Sequence, residues 1–157
     1  MDGGTGYQPE YEQDDTAVLL EQVQANSQAL ILATVAFLQE RDIAIDVWAR
    51  FIGERFARDW PEAEKFGPDE FLDAMLTNLT GFGATVHDAD FAPEEATATI
   101  SGFPDPALCE AYGVEVTDAV KFQEAAGQIA RTQGLSWDWT LDGETATVTI
   151  KVKPGAG

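Results

Sequence analysis

The sequence predicts an α+β domain: three N-terminal helices, then two β-hairpins forming a four-stranded antiparallel sheet, with two helices between the hairpins packed on one face. Two observations carry this reading. After Gly83 the apolar period changes from about 3.6 to 2, which marks entry into a sheet. Near the C-terminus, LSWDWTL and ETATVTIKV alternate strictly around Asp142-Gly143, a turn pair that favours a type I′ hairpin. At 157 residues and 45% hydrophobic, the chain is long and apolar enough to bury one core without disulfides or metal.

Residues 1–14 are acidic, lack any base and carry three glycines, so they read as a disordered acidic tail before a single domain over 15–153. The first helix, about 16–40, keeps Leu19, Val23, Leu30, Thr34 and Leu38 roughly on one face. The second, about 43–59, places Val47, Trp48, Phe51, Ile52 and Phe56 on its apolar side and stops at Pro61. The third starts at Pro68, with Asp69 and Glu70 at the positive helix end, and closes at Gly81 and Gly83.

The segments 84–91 and 95–103 flank Ala92, Pro93 and Glu94 as a hairpin. A four-residue loop pairs Phe91 with Ala96, Ala89 with Ala98 and His87 with Ile100, which puts His87 on the covered face. Two helices follow, about 105–112 closed by Gly113 and 117–133 closed by Gly134. Ala119, Ala126, Gly127 and Ala130 make the latter thin-sided and suited to close packing. In the last hairpin, a turn at Asp142-Gly143 pairs Trp139 with Ala146, Trp137 with Val148 and Leu135 with Ile150, with Trp137 and Trp139 facing inward.

Charge narrows the functional classes. Nine Lys and Arg against 28 Asp and Glu give a net charge of −19, which disfavours nucleic acid and anionic membrane as partners. Arg41, Arg50, Arg55 and Arg58 cluster, but they alternate with Asp46, Glu54 and Asp59 at helical spacing, as on a solvated face. No apolar run approaches the roughly 20 residues of a membrane span, and the N-terminus lacks the pattern of a leader, so a cytoplasmic location is expected. One cysteine, Cys109, and one histidine, His87, leave no Cys/His metal cluster, and no cofactor is expected.

From Gly102 to Val152 the chain resembles the superfamily of ligand-binding domains that includes the 4-vinyl reductase domain and the TRAPP tethering-complex subunits, with haem nitric-oxide-binding domains as distant kin. The residues carrying the likeness are PDPALCEAYGVEVTDAVKFQEAAGQIARTQG, read as a short Cys-bearing helix, a small-residue helix from Phe122 to Ala130, and then the terminal hairpin. The resemblance implies an apolar pocket between helices and sheet, and homodimers. The last hairpin lacks the cysteines of metal-binding relatives, and the helices before Gly83 lack the histidine of haem-binding ones.

The expected function is non-catalytic binding or sensing of a small apolar or aromatic ligand. Its expected contacts are His87, Trp137 and Trp139 on the sheet, Trp48 and Phe51 on the second helix, and Cys109. The alternative is a homodimeric interaction module with a filled core. A hydrolase using Cys109 and His87 is a distant third, since neither has a base or orienting partner nearby in sequence. A homodimer is expected in either of the first two cases, because ALILATVAF, Ala29 to Phe37, gives the first helix apolar residues around most of its circumference.

Overall fold

A computed structural model describes residues 13–60 and 65–153. Along the chain run α1 (Gln13–Glu40), α2 (Ile45–Ala57), α3 (Pro68–Gly81), β1 (Thr85–Phe91), β2 (Glu95–Ser101), α4 (Pro106–Ala111), α5 (Val116–Ala119), α6 (Glu124–Thr132), β3 (Leu135–Asp142) and β4 (Thr145–Val152). A 3₁₀ turn, Val120–Gln123, interrupts the helix expected to run unbroken from 117 to 133. Helix α1 already includes Gln13. Residues 1–12 of the expected tail, and Pro61, lie outside the described residues.

The fold is the α+β arrangement that the sequence predicts. The strands form one antiparallel sheet in the order β1-β2-β4-β3, each hairpin supplying one edge. Ala96, Ala98 and Ile100 on β2, with Ala146, Val148 and Ile150 on β4, are buried beneath α3 and α6. By strand alternation Thr97, Thr99, Thr145, Thr147 and Thr149 line the reverse face.

Both hairpins depart from the expected register. Asp142 pairs with Thr145, so Gly143 and Glu144 form the second turn. Gly143 has φ +63° and Glu144 has no left-handed φ, which is the type II′ pattern with glycine first. The pairing therefore slides by two: Trp139 opposes Val148, Trp137 opposes Ile150, and Leu135 opposes Val152. A slip of two preserves face parity, so both tryptophans stay on the covered side.

In the first hairpin Phe91 pairs with Ala96 and Ala89 with Ala98, as expected. A β-bulge between Val86 and Asp88 then leaves His87 without a ladder partner and brings Val86 opposite Ile100. His87 is exposed, and its Nε2 lies 2.6 Å from Ser101 Oγ, a residue of the reverse face. Its expected place on the covered face is thus overturned by one extra residue.

Helix α2 also docks differently from its bulky pattern. Val47, Phe51 and Phe56 are exposed, while Ile45, Ala49 and Gly53, at i, i+4, i+8, form its buried stripe. At Gly53 an added Cβ would lie 2.6 Å from Ala125 O and 2.7 Å from Gln128 Cβ, so α2 and α6 meet almost backbone to backbone. On α1 the buried residues are Gln28, Leu32, Val35 and Leu38. Leu32 and Val35 join Ile45, Cys109, Val114 and Ala119 in a second core, separate from the one under the sheet. Gln28 ties these layers together. Its Nε2 donates to Phe82 O (2.7 Å) and Gly102 O (2.9 Å), and its Oε1 accepts from Asp105 N (2.7 Å).

Candidate functional site

Between α2, α3, α6 and β3 lies an apolar cavity of about 270 Å³. Its position follows from the packing just described. Small residues let α6 sit close to α2, while bulky aromatics at element ends hold the neighbouring elements apart. Phe56 comes from the last turn of α2 and Trp60 from the turn after it, Met75 and Leu79 from α3, Ala125, Ala126 and Ile129 from α6, and Trp137 from β3. Phe82, Phe103 and Phe122 complete the wall from the connecting segments, and Asp59, Asn78 and Gln123 are its polar members.

The aromatic lining is mutually braced. Phe82 lies 5.4 Å from Phe103 and 6.2 Å from Phe122, and Phe103 and Phe122 meet edge-on at 6.2 Å. Phe71 links Trp60 (5.1 Å) to Trp137 (6.1 Å, edge-on), and Trp137 stacks on Trp139 at 6.2 Å with 19° between planes. Such contacts each add roughly 0.5–1.5 kcal/mol beyond burial. They hold the rings as walls rather than letting them collapse inward.

The indole N–H groups of Trp137 and Trp139 are buried and have no hydrogen-bond partner among the described residues. Buried indole donors ordinarily find an acceptor, and an unmet one costs about 1–3 kcal/mol. Trp137 also borders a second, more polar cleft of about 430 Å³ that reaches Trp139, Asp46, Lys121, Glu124 and Arg131. Arg131 is shared there between Glu124 (3.7 Å) and Gln128 (2.7 Å).

Of the six residues singled out from the sequence, Trp137 lines the cavity and Trp139 the adjoining cleft. Trp48 stands behind the wall, 5.4 Å from Phe122 and packed on the second core. Phe51 is exposed beneath the Arg55 guanidinium, 4.7 Å from the ring centroid. His87 belongs to the opposite side of the sheet, and Cys109 is buried in the second core, where desolvation and then Asp105 push its thiol pKa up. No hydrogen bond joins Cys109 to His87 among the described residues, and a thiol held neutral is a poor nucleophile.

Sequence reasoning missed Trp60, Phe82, Phe103 and Phe122. All but Phe122 adjoin a Pro or Gly at an element end, as in Trp60-Pro61, Gly81-Phe82-Gly83 and Phe103-Pro104, where periodicity assigns no face. Among the described residues no group of three or more His, Cys, Asp or Glu is placed to hold a metal, and no helix is long and apolar enough to cross a membrane. No protein-family model matches the chain, and neither a curated protein nor a solved structure matches it.

Proposed function

We propose that this chain binds a small apolar or aromatic molecule, without acting on it chemically, in the cavity between α2, α3, α6 and the covered sheet face. The observation that carries the reading is the conjunction of a braced aromatic cavity with Trp137 on its wall, whose buried indole N–H has no partner among the described residues. A ligand bearing one acceptor, such as a carbonyl or ether oxygen, satisfies that donor once the Trp137 ring turns its N–H, solvent-inaccessible in this structure, toward the cavity, while the ligand's rings stack on the lining. A cavity of about 150 Å³ holds one benzene, so this volume suits roughly one to two rings. The resemblance of residues 102–152 to ligand-binding domains of the 4-vinyl reductase kind supports the same reading. The polar contact first assigned to His87 passes to Trp137, because His87 lies across the sheet.

Native mass spectrometry of protein purified without additives, followed by a thermal-shift screen of neutral aromatic compounds, tests this. The expected result is a retained molecule, or compounds that raise Tm. Trp137→Phe keeps a ring but removes the donor, and should weaken the best acceptor-bearing compound about 3- to 10-fold, the worth of one hydrogen bond, while a compound lacking the acceptor is hardly affected. A wild type that retains nothing and that no compound stabilises would sink the proposal.

A further inference from the structure

Helix α1 has two apolar faces set back to back, and among the described residues only one is covered. The inner face, Gln28, Leu32, Val35 and Leu38, is buried. On the outer face Val23, Leu30 and Phe37 recur at intervals of seven, with Leu19 and Ala33 at the companion heptad spacing, and all five are exposed. Leu30 is 70% exposed, Val23 50% and Phe37 48%. A repeat of this period, on a helix that at 28 residues is about 42 Å long, is the pattern of a coiled-coil seam.

Charge identifies the occupant. Charged residues make up 24% of the chain, yet across the 24 residues Thr16 to Gln39 the one charged side chain is Glu21, which falls on the side away from the seam. A basic partner would be met by acids, and this surface offers none along its line; among the described residues its one cation is Arg41, whose guanidinium lies 3.8 Å over the Phe37 ring at the C-terminal end of the seam. A second copy carries −19 of its own and can approach closely only where the surface is neutral. We infer that the outer face of α1, centred on Val23 and Leu30, is the isologous interface of a homodimer in which the two α1 helices pack along this seam. A standard specific interface buries about 800 Å² per partner, which two helices of this length reach only together with the flanking surface they bring into contact. Salt screens the repulsion between the two acidic bodies and leaves the apolar seam intact, so association strengthens with ionic strength.

Sedimentation velocity of the full chain at about 50 µM, in 0.15 M and 1 M NaCl, tests the inference. The expected species has twice the 17.0 kDa mass of one chain and is more populated at high salt. Val23→Glu with Leu30→Glu should give a monomer with unchanged near-ultraviolet circular dichroism. Val18→Glu, also exposed but on the far side of the heptad, should leave the dimer. If the double variant loses its native spectrum, Leu30→Gln alone is read by the same criteria. A wild type that is monomeric at both salt concentrations overturns the inference, as does a dimer that survives in the folded double variant. Monomers that instead partition onto uncharged phosphatidylcholine vesicles would assign the seam to a lipid surface and overturn it too.

Discussion

Replacing Gly53 by alanine isolates the contact on which the cavity depends. In an ordinary helix interior the change stabilises by roughly 1 kcal/mol, because alanine restricts the unfolded chain and glycine does not. Here the new methyl would lie 2.6 Å from Ala125 O, 2.7 Å from Gln128 Cβ and 3.1 Å from Ala125 Cα. Two of these atoms are backbone and the third is a Cβ, so none can rotate away. Restoring ordinary contact, which begins near 3.4 Å, requires α2 and α6 to part by about 0.8 Å along that line. Overpacking of this kind costs about 1–3 kcal/mol, and the upper part of that range applies because the backbones themselves must move. Net of the helix gain, Gly53→Ala should destabilise by about 1–2 kcal/mol. Urea unfolding followed by tryptophan fluorescence reads this as a lower midpoint at unchanged slope. Gly81→Ala is the internal control: it is the last residue of α3 and its added Cβ meets nothing within 4 Å, so it should stabilise by up to about 0.5 kcal/mol, less than the helix-interior gain. A Gly53→Ala midpoint equal to or above wild type would refute the claim that backbone proximity holds α2 on α6.

Gln28→Leu should cost about 2–4 kcal/mol in the same assay, since it leaves the Phe82 and Gly102 carbonyls and the Asp105 N–H without their partner. His87→Ala should change stability by less than about 0.5 kcal/mol and leave any ligand affinity intact, because the ring is exposed and, among the described residues, bonds only Ser101; a loss of binding would put the site on the wrong side of the sheet. Cys109 should react with a disulfide reagent at pH 8 only as fast as the protein opens. Because the folded thiol pKa is raised, its contribution to stability is full below the unfolded thiol pKa of about 8.5 and is lost as pH rises from there through the folded value. Cys109→Ser should flatten that alkaline decline.

The fold was legible because patterns of period 3.6 and period 2 occupy separate stretches, with glycines at their borders. Face parity in the last hairpin was legible for the same reason, since Trp137 and Trp139 share a parity that a shift of two cannot change. Its register was not, because Gly143 serves either as the second residue of a type I′ turn or as the first of a type II′ turn, and only packing of the whole sheet chooses. The bulge at His87 left no mark on an alternating sequence. On α2 the bulky residues drew attention although the small stripe Ile45, Ala49, Gly53 makes the contact. Burial there rewards closeness of backbones rather than side-chain size. Most of the cavity wall escaped notice because it is assembled from residues such as Phe82 and Phe103, whose orientation is set by turns joining distant elements.

The single side chain of Gln28 also constrains the order in which the molecule assembles. Its three partners lie 54, 74 and 77 residues away along the chain, at the exit of α3, the end of β2 and the start of α4. None of these acceptors and donors is in place until the first hairpin has closed against α3, so the amide gains nothing from α1 docking early, whereas the hairpins close over short loops. Although α1 precedes these elements in the chain, it is therefore expected to dock after them, and its release is expected to leave the sheet and its covering helices standing. Amide exchange along α1 should accordingly report a partial opening of lower free energy than that of the β2 and β4 strands.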